Sequence, residues 1–263
     1  MTEAKTPAAV VPVPATVHRE LRGWRVIVGF PGLGWRTDLR ADATAVQGSR
    51  TYVPVLPELE VDGRPFVHEV TTRLIQPALT PLERSRNGIR LEIARRYAAL
   101  NGLNRIIRSG PADRIGIVAP GKTFLDVRQA LNILGLDDAE LERRGVRLLQ
   151  LEMVHPLEPT VVTEFARGLR EIVVVEEKRS FVEAAIKDLL YGRADAPAVT
   201  GKFASDGVPL LPSEGELDAD IVASALAERF DEHGDFPTVT AWRAAQQPAR
   251  NVIELPLAPR AMR

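Results

Sequence analysis

Three short apolar runs, residues 115–119, 146–154 and 171–175, alternate with stretches whose apolar positions recur at helical spacing, residues 124–134, 138–144, 159–168 and 181–191. Such runs, bounded by turn residues, mark strands buried on both faces, and an intervening helix is what returns the chain for parallel pairing. Gly135, Gly145, Gly168 and Gly192 suit the helix ends, and Pro159 suits a first turn. Ser180 with Glu183 three residues on predicts a capping box for the helix over 181–191. The pattern predicts an α/β fold: a three-layer α/β/α sandwich with a mainly parallel sheet over residues 111–192.

The flanks are less regular. Pro7, Pro12 and Pro14 interrupt residues 1–20, which read as a flexible leader. Residues 21–110 read as an extended, loop-rich segment with a strand over 24–30 and a connecting helix over 82–100. In that helix Ile89, Ile93, Tyr97 and Leu100 share a face among Arg84, Arg86, Arg90 and Arg95. Residues 193–263 read as a loop-rich extension with one helix near 219–230 and a loosely held tail from residue 237. Both extensions are irregular beside the central sandwich.

The 263 residues are 45% hydrophobic and 26% charged, an ordinary globular balance. The formal net charge of -1 gives no electrostatic reason to expect nucleic acid. No apolar run approaches the roughly 20 residues that span a bilayer, so no membrane partner is expected and the cytoplasm is the expected location. Cysteine is absent, which removes disulfides, thiolate metal sites, a cysteine nucleophile and thiolate-held iron–sulfur clusters from this chain.

Gly116-Ile117-Val118-Ala119-Pro120-Gly121-Lys122-Thr123 satisfies the pattern of a phosphate-binding loop, and the apolar run ending at Glu176 mimics the acidic partner such loops use for magnesium. The placement argues otherwise. A phosphate loop needs its first glycine after the strand, whereas Gly116 falls inside the predicted strand and leaves only Pro120, Gly121 and Lys122 as a turn. Gly29, Gly32 and Gly34 have the wrong order for a dinucleotide turn, and Pro31 lies among them. The four histidines, His18, His68, His155 and His233, show no metal-ligand spacing. His155 nevertheless follows a strand at its carboxyl end, as do Glu176 and Glu177, whose side chains should point to opposite faces. Each of these also fits a plainer role, a turn histidine or an ion-paired strand end.

Several phrases together resemble the indolepyruvate ferredoxin oxidoreductase family. They are Gly121-Lys122 with Asp126-Val127-Arg128-Gln129-Ala130-Leu131, Pro156-Leu157-Glu158-Pro159, and Val174-Val175-Glu176-Glu177-Lys178-Arg179, extended by residues 98–105, by Gly201-Lys202 and by residues 212–218. The likeness is to the middle segment of the long bacterial fused form, a module similar to the C-terminal domain of transketolase. It runs over residues 82–229.

The resemblance implies part of an enzyme that decarboxylates indolepyruvate or another arylpyruvate on thiamine diphosphate, transfers the acyl unit to coenzyme A and reduces ferredoxin through iron–sulfur clusters. The family's diphosphate site uses a Gly-Asp-Gly motif that this chain lacks, and its clusters need cysteines. The resemblance therefore implies that the chain binds no cofactor alone. Thiamine diphosphate, magnesium and iron–sulfur clusters would sit on partner chains or domains, and ferredoxin would be reached through the assembly. No catalytic residue carries over; Gly121, Lys122, His155, Glu176 and Glu177 are the candidates for a ligand- or interface-facing edge. Two other readings stay open: an independent binding or scaffolding module that has lost the enzyme function, and a phosphate-loop ATPase.

Overall fold

The structure is a computed structural model. It describes residues 54–68 and 74–246 in full, and residues 16–20, 23–29 and 36–41 as backbone strands. The chain divides into two compact units, Met1–Val53 and Pro54–Arg263.

In the first unit, strands β1 (Thr16–Glu20), β2 (Gly23–Gly29) and β3 (Arg36–Ala41) form an antiparallel sheet in that order. The strand expected over 24–30 is β2. The leader expected over residues 1–20 does not reach its stated end: β1 pairs with β2 from Thr16↔Ile27 to Glu20↔Gly23. Its order comes from a partner strand, which the local proline pattern does not reveal. Residues 1–15 lie outside the described residues.

The second unit opens with a hairpin of β4 (Glu60–Val61) and β5 (Arg64–Pro65). Its two turn residues, Asp62 and Gly63, both have positive φ (53° and 71°), as a tight two-residue hairpin requires. The helix expected over 82–100 is two helices, α1 (Leu79–Ser85) and α2 (Leu91–Leu100), joined by a π-helical turn at Arg86–Arg90. Asn101 ties the end of α2 back to the arm before it. Its Oδ1 accepts from Val55 N, and its Nδ2 donates to the carbonyls of Val55 and Tyr97, all at 2.8 Å.

The main sheet has five strands: β6 (Arg105–Arg108), β7 (Ile115–Pro120), β8 (Val146–Leu151), β9 (Glu171–Val174) and β10 (Ala198–Thr200). Their spatial order is β10-β9-β7-β8-β6, all pairs parallel except β6 with β8. The helices between and after them are α3 (Gly121–Ile133), α4 (Asp138–Arg144), α5 (Pro159–Ala166), α6 (Val182–Leu190), α7 (Ala219–His233) and α8 (Pro237–Gln246).

Alternation along each strand sorts the core into two halves. Ile115, Ile117, Ala119, Val146, Leu148, Val173 and Val175 point to one face and pack with α3, α4, α7 and α8. Val118, Leu149, Leu151, Ile172 and Val174 point to the other and pack with α5 and α6. This is the expected three-layer α/β/α sandwich, and its sheet takes one strand from before residue 111 and one from after residue 192.

The tail from residue 237 is not loosely held through its first ten residues. Helix α8 buries Val239 and sets Trp242 against the core. Residues 247–263 lie outside the described residues. No described helix is long and apolar enough to cross a membrane.

Candidate functional site: the crevice at the carboxyl end of the sheet

Strand β7 leads through α3 and α4 to β8 on one side, while its other neighbour, β9, leads through α6 to β10 on the opposite side. Helices α3 and α6 lie on opposite faces, so β7 and β9 part at their carboxyl ends. That parting is a topological switch point, where open α/β sheets form their ligand crevice. The residues bordering it are Pro120 at the end of β7, Gly121 and Lys122 at the start of α3, and Val175, Glu176, Glu177 and Lys178 after β9.

On the β7 side, Gly121 begins α3 with φ +44°, and its α-hydrogen faces open space. Lys122 is exposed; its Nζ lies 3.0 Å from Asp126 Oδ2 and 3.8 Å from Glu177 Oε1. The hydrogen bond to Asp126 chiefly raises the Lys122 ammonium above the ordinary lysine value; slight desolvation opposes it, and the charges of Asp126, Glu177 and Glu216 add to it. Lys122 and Glu177 thus reach across the crevice toward each other, as alternation predicts for the odd-numbered glutamate.

Glu176 turns the other way and is buried. Its carboxylate accepts from the backbone amides of Phe181 (3.0 Å), Val182 (2.8 Å) and Glu183 (3.0 Å), the free donors at the start of α6. The capping box expected from Ser180 and Glu183 does not form. Ser180 does not cap, and Glu183 instead accepts from Lys202 N (3.0 Å) and Lys187 Nζ (2.6 Å). Glu158 plays the same part as the N-cap of α5, accepting from the amides of Thr160 and Val161 at the start of that helix. Helix N-termini attract anions through their free amides and dipoles. In α5 and α6 the anion is one of the chain's own carboxylates.

Two lysines lash the following loop across the same end. Lys202 is buried, and its Nζ donates to the carbonyls of Glu176 (2.5 Å) and Pro212 (2.9 Å). Burial pulls its ammonium below the ordinary lysine value, against the opposing charges of Glu176, Glu183 and Glu177. Lys178, in the left-handed region at φ 58°, donates from Nζ to the carbonyl of Gly215. Neither lysine stands out as a site by sequence. Lys202 follows a glycine in a loop-rich stretch, and its Gly201 has no room for a side chain, a Cβ there falling 2.5 Å from Glu183 Oε2.

His155 lies elsewhere. Its exposed ring is 6.1 Å from that of Phe181, and it borders a groove of about 350 Å³ with Glu92, Arg95, Pro156, Asp188 and Leu189. The crevice residues on β7 and β9 do not line that groove. The phosphate-loop pattern fails where the sequence placed its fault. Gly116 is inside β7, paired with Arg147 and Ile172, and a Cβ there would fall 2.5 Å from Leu169 and 2.7 Å from Phe165. It is a glycine for packing against α5, and Ile117 to Pro120 continue the strand, so no loop encloses a triphosphate.

Among the described residues no group of three or more His, Asp or Glu could hold a metal ion. The chain has no cysteine and no Gly-Asp-Gly triplet.

The fold is a doubly wound α/β/α module in which the chain's own Glu176 takes the free amides at the start of α6. The sequence profile of the family described as "Indolepyruvate oxidoreductase domain" matches residues 105–251, more than half of the chain, and the chain belongs to that family. Indolepyruvate oxidoreductase subunit IorA of Methanothermobacter marburgensis is 33% identical over 133 residues, 51% of this chain and 20% of that protein. The protein of the same name from Pyrococcus abyssi is 31% identical over 120 residues, 45% of this chain and 16% of that protein. The chain spans at most about a fifth of the length of these relatives.

Similar solved structures include a split-gene transketolase, an inactive beta4 tetramer, at 19% identity and TM-score 0.35, covering 51% of this chain and 43% of that one. Another is the 2-oxoglutarate:ferredoxin oxidoreductase from Magnetococcus marinus, at 16% identity and TM-score 0.38, covering 59% and 24%.

Proposed function

We propose that this chain supplies a non-catalytic docking domain of a thiamine diphosphate-dependent 2-oxoacid:ferredoxin oxidoreductase acting on indolepyruvate or a related arylpyruvate. Thiamine diphosphate, magnesium and the iron–sulfur clusters reside on other subunits or domains, and ferredoxin meets the assembly there, in the cytoplasm. The observation that carries this reading is the occupation of the α6 amides by the chain's own carboxylate. In a domain of this family, the amides that could receive an anionic ligand at α6 are taken by Glu176, and Lys202 and Lys178 hold the loop after β10 against the chain that follows β9.

What the carboxyl end offers a partner is surface. Leu125 in α3, Phe181 before α6, and Phe203 and Val208 after β10 are 65%, 45%, 55% and 50% exposed. By topology all four lie at the carboxyl end of the sheet, with Gly121, Lys122, Glu177 and His155.

The test is to tag the chain in its own host, purify it gently, and analyse the eluate for associated proteins, iron and thiamine diphosphate. Cysteine-rich and diphosphate-binding partners with arylpyruvate-dependent ferredoxin reduction are the expected result. A lone, iron-free protein would sink the reading and leave an independent binding module.

A further inference from the structure

At the amino end of the parallel strands, opposite the crevice, an open cavity of about 390 Å³ lies between the turn from β6 to β7 and the end of α5. Ser109 and Gly110 border it from the turn, Arg147 from β8, and Glu164 and Arg167 from α5 and its C-cap. Arg147 is held rigidly, its side chain 13% exposed. Its Nε donates to Asp113 Oδ2 at 3.0 Å, and its Nη1 to the carbonyls of Phe165 (2.7 Å) and Arg167 (2.9 Å). Its Nη2 makes no hydrogen bond among the described residues and is not sealed from solvent.

Arg108 completes the cluster. Its Nη1 donates to Asp113 Oδ1 at 2.6 Å and to the Val146 carbonyl, while its Nη2 is buried beside Gly110 without a partner. Asp113 also accepts from Gly110 N at 2.6 Å, so both of its oxygens are in use. Two guanidiniums thus share one carboxylate, and one positive charge is left over where the side chains are almost out of water. Such a charge is costly unless an anion meets it. Arg167 is exposed, and its side chain makes no ion pair among the described residues; Glu164, the one carboxylate on the rim, pairs with neither Arg147 nor Arg167. Arg147 Nη2, the Arg167 guanidinium and the Ser109 hydroxyl are therefore donors without acceptors, bordering one cavity. A phosphate group offers acceptors in several directions and suits guanidinium donors.

We propose that this cavity binds the phosphate group of a small ligand: Arg147, fixed by Asp113 and the end of α5, presents Nη2 to it, and Arg167 and Ser109 donate from the rim. The site lies at the other end of the sheet from the docking edge proposed above and does not depend on it.

The test is a titration of inorganic phosphate into the isotope-labelled full chain at constant ionic strength, following the amides of Ser109 and Gly110 and the Arg167 Nε–H by NMR. These signals should shift saturably in the millimolar range, and acetate should need a higher concentration for the same effect. Arg167→Ala should weaken phosphate binding about tenfold, the worth of one charge-assisted hydrogen bond, and leave the urea midpoint unchanged. Arg170→Ala removes an exposed arginine outside the cavity and should change binding by less than about twofold, because salt screens a charge that makes no contact. Glu164→Gln, which removes the rim carboxylate, should tighten it. No saturable shift up to about 50 mM phosphate would overturn the proposal, as would tighter binding of acetate. So would equal effects of Arg167→Ala and Arg170→Ala, which would mean a diffuse attraction to this end of the sheet and no built site.

Discussion

Glu171 and Glu176 stand at the two ends of β9 and point to opposite faces, and each is buried against a different helix. Glu171 is 1% exposed and accepts from Arg229 Nε at 2.9 Å and Nη2 at 3.2 Å, from Thr200 Oγ1 at 2.5 Å, and from the His233 ring. Burial works to raise its carboxyl, but the bonds from Arg229, Thr200 and His233, with the Arg229 charge, outweigh it and hold the carboxyl below its ordinary value. The folded state therefore binds fewer protons than the unfolded chain. The stabilisation is complete above the ordinary carboxyl value of 4.5 and is lost as pH falls through the depressed one. Glu171→Ala leaves the buried Arg229 guanidinium with only the more exposed Glu232 as a carboxylate partner and should cost up to about 3–5 kcal/mol in a urea titration at neutral pH. The variant should also lose less stability than the unchanged chain between pH 4.5 and pH 3. An equal loss in both would assign the acid sensitivity to other carboxylates. The parity of side chains on the strand is legible in the sequence. That Glu171 meets Arg229, 58 residues on, is not, because the pairing exists only once α7 lies on its face of the sheet.

At the scale of elements, the strands β7, β8 and β9 and the helices α3 to α7 are legible because each is a local pattern: a short apolar run or a helical stripe, ended by a glycine. Gly145 shows why such endings read well, since its φ of 69° closes α4 and its carbonyl receives the amides of Arg114 and Ile115. What escapes is whatever depends on a partner. Strand β6 reads Arg-Ile-Ile-Arg and β10 has three residues, too little pattern to separate either from a loop, yet each gains its hydrogen bonds from an adjoining strand. The start of α6 is instructive for the same reason. A capping box is a rule of spacing, and Ser180 and Glu183 satisfy it, but Glu176 is buried beside the same amides and takes three of them. Ser180→Ala should therefore change stability by less than about 0.5 kcal/mol. Glu176→Ala, which frees three buried donors, should cost about 2 kcal/mol or more by the same measurement. A reversed order would restore the capping box and leave Glu176 free to face a ligand, removing the observation that carries the proposed function.

For the molecule as a whole, the question is how much chain the sandwich needs. The regular pattern over 111–192 gives one covered face of the sheet, that of α5 and α6, and half of the other. The remainder of the α3 face is closed by residues beyond 200: Leu211, Leu217, Val222, Leu226, Phe230, Phe236 and Val239 are all at most 3% exposed. Each fully buried side chain of these types contributes roughly 1.5–3 kcal/mol, so together they contribute on the order of 10 kcal/mol. That rivals the entire net stability of an ordinary domain, about 5–15 kcal/mol. The C-terminal segment also carries Arg229 and His233 to Glu171, so one stretch of chain completes the core and pairs the buried carboxylate. A chain ended after Thr200 should therefore lose its single cooperative unfolding transition and bind a hydrophobic dye such as ANS, while keeping much of its far-ultraviolet circular dichroism. A sharp transition near that of the full chain would mean instead that the α3 face tolerates exposure, and that α7 and α8 are a detachable cover and not part of the fold.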